Sequence, residues 1–262
     1  DMMNDLKLDL PYDLVRKGNW TMDALHTYMK AAASLNGDDS FDYKEDGNCV
    51  YGLTGYYVFP HSAIISSGES YIKNNTEGIP EFTLETDRFY LSNSSQYPLI
   101  LMDNRAIFTM DTLSRYVTFR DMEAVYGILP FPKYDEDQIE YYTPIHKAVP
   151  LVSIPVTSAD PNGTAIILDA LTYGSYKSVV PAFYDVAVSM KGLRNDDSIE
   201  MLGIIRDTRV FDSGDAYGWT TTLQDKIRRA LDRGNSQIAS MIAAERDFIA
   251  DKIATTMDML KQ

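Results

Sequence analysis

Residues 34–59 read "SLNGDDSFDYKEDGNCVYGLTGYYVF", and the way this stretch divides decides the fold class. Its first half recurs in acidic and amide side chains at every second position, as a loop does. Its second half, Val50–Phe59, is aromatic and β-branched and is expected to form a strand. Immediately before it, Met22–Leu35 carries Leu25, Tyr28, Met29, Ala32 and Ala33 at the spacing of one helical face, with Thr21 placed to cap the first turn. Helix, polar loop and strand in that order are one unit of an α/β architecture.

The same alternation continues outward. Residues 1–19 read as irregular, with Pro11 as a breaker, and 60–98 read as rich in Ser, Gly, Asn and Pro with only short periodic pieces. "AIFTM" (106–110) is expected to be a buried strand, with Asp111 or Thr112 capping a short helix behind it. "VYGILPFPKYDEDQIEYY" (125–142) reads as a short strand followed by an acidic, proline-punctuated loop, and "AVPLVSIPV" (148–156) as another strand. Helices are expected from about Gly163 to Tyr173, through "VVPAFYDVAVSMK", over 196–208, and as a last pair, 220–233 and 236–260. In the last pair Gly234 ends one helix and Ser236 caps the next. No internal repeat or low-complexity tract is present.

The chain has 262 residues, 45% of them hydrophobic and 11% aromatic, enough to bury a core. Its formal net charge of −14 repels phosphate backbones and anionic membranes, so nucleic acid is not an expected partner. The single cysteine, Cys49, rules out an internal disulfide. It lacks a reactive motif and reads as an inert thiol. No apolar run reaches the roughly 18 residues that span a bilayer. No signal peptide is visible at the first residues, "DMMNDLKLDLPYDLV", so the sequence reads as a mature or trimmed form.

Catalytic motifs are absent. His26, His61 and His146 are far apart and form no HExxH or Cys/His cluster, and no GxSxG, P-loop or GxGxxG occurs. Among 38 acidic residues a glycosidase-like pair would arise only in space, so catalysis has no positive support and the chain is expected not to be an enzyme. The acidic loop itself has two readings. Set on an EF-type calcium loop, Ser34, Asn36, Asp38, Ser40, Asp42 and Glu45 fall at the ligand positions, and Asn36, Asp38, Asp42 and Glu45 suit a hard cation. Against this, Ser34 replaces an expected Asp and Asp39 stands where the turn wants Gly. The second reading is a solvated acidic turn without metal. A calcium-dependent rise in Tm, lost in Asp38→Ala, separates the two.

Several stretches together resemble one family, the extracellular solute-binding proteins of bacterial ABC importers, especially carbohydrate-binding members from Gram-positive bacteria. "PYDLVRKGNWTMDAL" is similar to that family's entry to a helix, and "SLNGDDSFDYKEDGNCVYGLTGY" to its Asp/Asn-rich loop and strand. "NRAIFTM", "YGILPFPKYDEDQIEYYT", "ILDALTYGSYKSVVPAFYDVAV" and "DDSIEMLGIIRDTRVFDSGDAYGW" resemble further segments in the same order. The resemblance implies a periplasmic-binding-protein-like (type II) fold, of which this chain holds mainly the second lobe. Residues 1–145 and 195–262 would form that lobe, and 146–194 would cross the hinge as a remnant of the first. Family members are longer at the N-terminus and carry a longer insert between Phe82 and Leu101.

The resemblance further implies a sugar or oligosaccharide ligand, permease subunits of an ABC transporter as partners, and a monomeric lipoprotein at the extracellular face. Sugars are held by aromatic faces and a few planar polar groups. The matching places point to Tyr56, Tyr57, Asp111, Tyr217 and Trp219 as ligand contacts; the alternative is that these aromatics pack the core. Trp20 is assigned to packing. With one lobe absent, binding would be weak or lost. Two further classes stand beside this one: a surface lipoprotein acting as an interaction module without transport, and a cell-surface glycan hydrolase.

Overall fold

The computed structural model describes residues 2–42, 44, 46–55, 59–84, 104–119, 122, 124–145, 152–184, 195–232 and 237–261. It is a mixed α/β protein with small sheets. Two short helices, α1 (Met2–Asp5) and α2 (Tyr12–Arg16), occupy the N-terminal stretch that reads as irregular. Their few residues give too little periodicity to register in sequence.

Helix α3 (Met22–Ala32) begins where expected: Thr21 is extended and its Oγ1 accepts a hydrogen bond from Ala24 N at 3.3 Å. The same entry is pinned from outside, since Met22 N donates to Lys133 O at 2.8 Å and Lys133 N donates to Trp20 O at 3.0 Å. Strand β1 (Tyr51–Gly55) follows, buried along its whole length. It pairs in parallel with β4 (Ala106–Met110), Leu53 opposite Phe108 and Gly55 opposite Met110. A strand buried on both faces suits a parallel pair. Helix α3 lies on this pair, and Gly52 makes the approach possible. A Cβ there would meet Met29 O at 2.6 Å and Met29 Cα at 2.7 Å.

A parallel pair needs a crossover. Here the crossover holds α4 (Phe59–Ser66) and an antiparallel hairpin of β2 (Ile72–Asn74) and β3 (Pro80–Phe82). Neither element stands out in the sequence. Helix α4 buries every residue from His61 to Ser66, so it has no polar face to reveal a helical period. After β4 come a single 3₁₀ turn (Leu113–Arg115) and α5 (Tyr116–Phe119). The strand expected at the start of 125–142 is not formed: 125–130 is irregular and packs on neighbours without a ladder. Residues 152–156, the described part of the expected strand 148–156, likewise have no partner strand among the described residues.

Two parallel residues each make β5 (Thr143–Pro144) and β6 (Arg209–Val210). Between them stand α6 (Pro161–Gly174) and α7 (Asp196–Asp207). Helix α6 is capped by Asp160, whose carboxylate accepts from Gly163 N at 2.9 Å, with Pro161 in the first turn. It runs on through a π-helical turn, Ser175–Val179, and stays helical to Tyr184. No residue from 161 to 182 is buried, although Ile166, Ile167, Leu171, Tyr173, Tyr176 and Val179 are all more than 60% exposed. Helix α7 starts on the Asn195 cap and buries Ser198, Met201, Leu202 and Ile205.

The chain closes with α8 (Ser213–Ala216), α9 (Thr221–Asp232) and α10 (Ile238–Leu260). Ile238, Ile242, Ile249 and Ile253 form one face of α10 and meet Leu223 and Ile227 of α9, Ile64 and Ile65 of α4, and Tyr71, Ile72 and Trp219 in the largest core. Lys226 and Glu245 tie α9 to α10 as an ion pair. A second core joins Tyr12, Val15, Trp20, Leu25 and Tyr141 to Met201 of α7. Both cores therefore combine residues from before position 145 with residues after position 195, and neither includes a residue from 152–184.

Candidate functional site

Ligands in open parallel sheets bind beyond the carboxyl ends of the strands, where helix starts and loops meet. In this protein a cavity of about 790 Å³ runs along β4 and past its carboxyl end. One wall is β4 itself, Ile107 to Met110, continuing into Asp111 and Thr112. The irregular 124–132 segment forms a second wall, and Tyr12, Trp20 and Leu25 a third. His61 and Ser62 from α4, and Gln224, Asp225 and Arg228 from α9, close the far side.

The aromatic part is organised by Trp20. Its indole N–H donates to Pro130 O at 3.0 Å, and its ring meets Phe108 at 5.7 Å and Tyr28 at 6.1 Å. Next to it, Lys133 is 4% exposed; its ammonium donates to Gln138 O at 2.7 Å and stands 5.7 Å from the Tyr141 ring centre. These contacts hold the 130–133 segment against the α3 entry and so fix the cavity's shape.

The polar part is sparse. Asp111 follows β4 directly, and its side chain is 6% exposed. Oδ1 accepts from Thr112 N at 2.7 Å, and Oδ2 stands 3.2 Å from Arg115 Nε. The pair is i,i+4 across the tight turn, so backbone geometry sets it before any ligand arrives. Thr109 Oγ1, on the same wall, is buried without a hydrogen-bond partner among the described residues. Asp111 and Asp225 are the carboxylates on the wall, set against Arg115, Arg209 and Arg228. Apolar faces with a few fixed polar groups can hold a neutral, hydroxyl-rich ring by stacking and by carboxylate and guanidinium hydrogen bonds.

Of the residues expected to touch ligand, Asp111 reaches this cavity. Trp219 is 2% exposed in the largest core, its indole N–H donating to Thr256 Oγ1 at 2.9 Å. Tyr217 stacks on it at 4.6 Å from the solvent side. Both rings belong to the α8–α9 corner and stand apart from the cavity wall, because α10 needs a large apolar side chain there. Tyr56 and Tyr57 lie outside the described residues. Trp20, Arg115, His61 and Arg228 line the cavity as well, and the sequence does not point to them as ligand contacts. Only Arg115 had a local signal, its spacing four residues after Asp111.

The acidic loop uses its side chains on itself. Ser34 Oγ donates to Asn36 Oδ1 at 2.8 Å, Asn36 Nδ2 donates to Asn48 O at 3.1 Å, and Ser40 Oγ donates to Asp42 Oδ2 at 2.8 Å. Asp38 Oδ2 accepts from Asn48 N at 2.7 Å and Cys49 N at 2.9 Å. The Cys49 side chain and the Asn48 N–H hold the Asp38 carboxyl below its usual range. The left-handed turn falls at Asn36 and Gly37 (φ 46° and 95°), and not at Asp39 as an EF-type register requires. No group of three or more His, Cys, Asp or Glu side chains among the described residues is placed to hold a metal ion; Glu45 lies outside them.

Comparison with protein-family models, curated proteins and solved structures finds no match for this chain.

Proposed function

We propose that this chain is the extracellular solute-binding subunit of a bacterial ABC importer, with a periplasmic-binding-protein-like fold and a sugar or oligosaccharide as its solute. The observation that carries this reading is the cavity that follows β4 and continues past its carboxyl end to Asp111 and Thr112, with Trp20 and Phe108 in its wall. The sugar class rests on the resemblance of the motifs quoted above. Helix α6 supplies a second support. It exposes Ile166, Ile167, Leu171 and Tyr173 and buries nothing, as a segment that packs into another lobe would. Such a lobe would close over the cavity and complete the ligand's contacts, and closure would present a surface to the transporter.

The test is ligand-observed NMR on the 262-residue chain with neutral mono- and oligosaccharides at millimolar concentration. Weak binding by at least one sugar, reduced several-fold in Asp111→Asn, is the expected result. No saturation transfer from any sugar overturns the solute-binding reading. Micromolar affinity overturns the part that assigns half the contacts to another lobe. The exposed α6 also favours a second reading, a surface module that binds a protein through this helix and transports nothing. Under that reading sugars fail and Asp111→Asn changes nothing.

A further inference from the structure

Helix α6 and the π-helical turn behind it have two apolar sides, and one of them carries a charge pattern that solute capture does not explain. Ile166, Tyr173, Tyr176 and Val180 are all exposed. They follow one another at spacings of seven, three and four residues, which sets them on one side of the helix. Lys177 shares this side: its ammonium stands 5.5 Å from the Tyr173 ring centre and 5.7 Å from that of Tyr176. Asp169, exposed and four residues before Tyr173, completes it. Ile167 and Leu171 lie on the other side of the helix, which remains for the lobe proposed above.

The order of residues on the first side is self-complementary. Asp169 stands four residues before Tyr173 and Lys177 four residues after it. A two-fold axis at Tyr173 that runs a second copy of the helix antiparallel therefore sets each Asp169 against Lys177 of the other copy. At 1.5 Å per residue the two ion pairs fall roughly 6 Å on either side of the axis, close enough to the centre for both to form. The same axis sets Ile166 against Val180 and the large Tyr176 against the small Ala170, with Tyr173 meeting its own copy in the middle. Parallel helices would instead put Asp169 on Asp169 and Lys177 on Lys177. Asp169 and Lys177 are also the only Asp, Glu, Lys or Arg residues from 161 to 184, so this stretch is neutral in a chain of net charge −14. Two copies can approach here without the like-charge repulsion that such a net charge otherwise imposes.

We infer that this chain forms a two-fold homodimer in which α6 packs antiparallel on α6 of a second copy, with reciprocal Asp169–Lys177 ion pairs. An apolar face by itself would admit any apolar partner. The mirrored charges and the exchange of Tyr176 for Ala170 across the axis select a second copy, because an isologous interface must complement itself. Burial of the tyrosines and aliphatic side chains supplies the affinity, and the ion pairs fix direction and register. The dimer departs from the monomer that the family resemblance implies, and it does not rest on the solute-binding reading.

The experiment is sedimentation equilibrium of the full 262-residue chain across micromolar concentrations, for the wild type, Asp169→Lys, Lys177→Asp and the double variant that exchanges the two charges. The wild-type mass is expected to approach twice the 29.6 kDa of one chain. Each single variant faces like charges at both pairs and is expected to weaken the dimer about tenfold, while the double variant returns to within about threefold of wild type. Both positions are exposed, so all four proteins keep the fold, which far-UV circular dichroism checks. A wild type that stays monomeric overturns the dimer. Single variants that dimerise like the wild type, or a double variant as weak as the singles, overturn the antiparallel pairing and the proposal with it. The result is independent of whether any sugar binds.

Discussion

Replacing Gly52 by Ala puts one methyl where β1 and α3 touch, and the structure sets its cost. The added Cβ would lie 2.6 Å from Met29 O and 2.7 Å from both Met29 Cα and Cβ. Two of these atoms are backbone of a helix that is pinned at its start by Thr21, Trp20 and Lys133. No rotamer change relieves the contact, and α3 must move away from the sheet. Overpacking costs about 1–3 kcal/mol, and a backbone clash of this depth belongs at the top, about 3 kcal/mol. For a chain of this size that lowers Tm by roughly 6–12 °C. Gly203, on α7 with nothing within 4 Å of its notional Cβ, is the matched control: Ala there raises stability by up to about 1 kcal/mol. Thermal unfolding by circular dichroism and urea midpoints report both. Adding Met29→Ala to Gly52→Ala is expected not to rescue it, because the clashing O, Cα and Cβ all remain. A Gly52→Ala Tm within about 2 °C of wild type refutes the packing argument, and full rescue by Met29→Ala refutes the claim that backbone is the obstacle.

Two further outcomes follow from the placement of side chains. Trp219→Phe removes the donor to Thr256 and part of a buried ring, and is expected to cost about 1–3 kcal/mol in urea unfolding while leaving any sugar signal in NMR unchanged. Leu171→Asp on α6 is expected to shift unfolding by less than about 0.5 kcal/mol, since Leu171 is 62% exposed, and to reduce light scattering of concentrated solutions.

Elements with a clear period or an end signal were legible. The "AIFTM" strand matches β4 residue for residue, and the helices expected at 196–208, 220–233 and 236–260 match α7, α9 and α10 within two residues at each end. The expected start of α6 at Gly163 falls two residues late, because Asp160 caps the helix and Pro161 opens its first turn. What was illegible has a common cause. Helix α4 is buried from His61 to Ser66 and so lacks polar contrast, which leaves Pro60 in its first turn as a weak opening signal. The 125–130 segment has strand composition, yet its backbone pairs with no strand among the described residues. At the site, Asp111 was legible because the end of a buried strand is a local property. Trp20, Phe108 and Arg228 come to one cavity only through tertiary packing, and Trp219, expected as a ligand contact with core packing as the alternative, packs against α10.

Helix α6 has a thermodynamic consequence for whatever covers it. Without tertiary burial, a helix holds together only by its own propensity. This one contains Gly163, Gly174 and several β-branched residues, which weaken that propensity. If a lobe or a protein docks on it, as proposed, that docking adds the stabilisation the helix does not draw from this chain. Association through it should show a large negative change in heat capacity, an unfavourable entropy of ordering, and an affinity lower than its apolar area alone suggests.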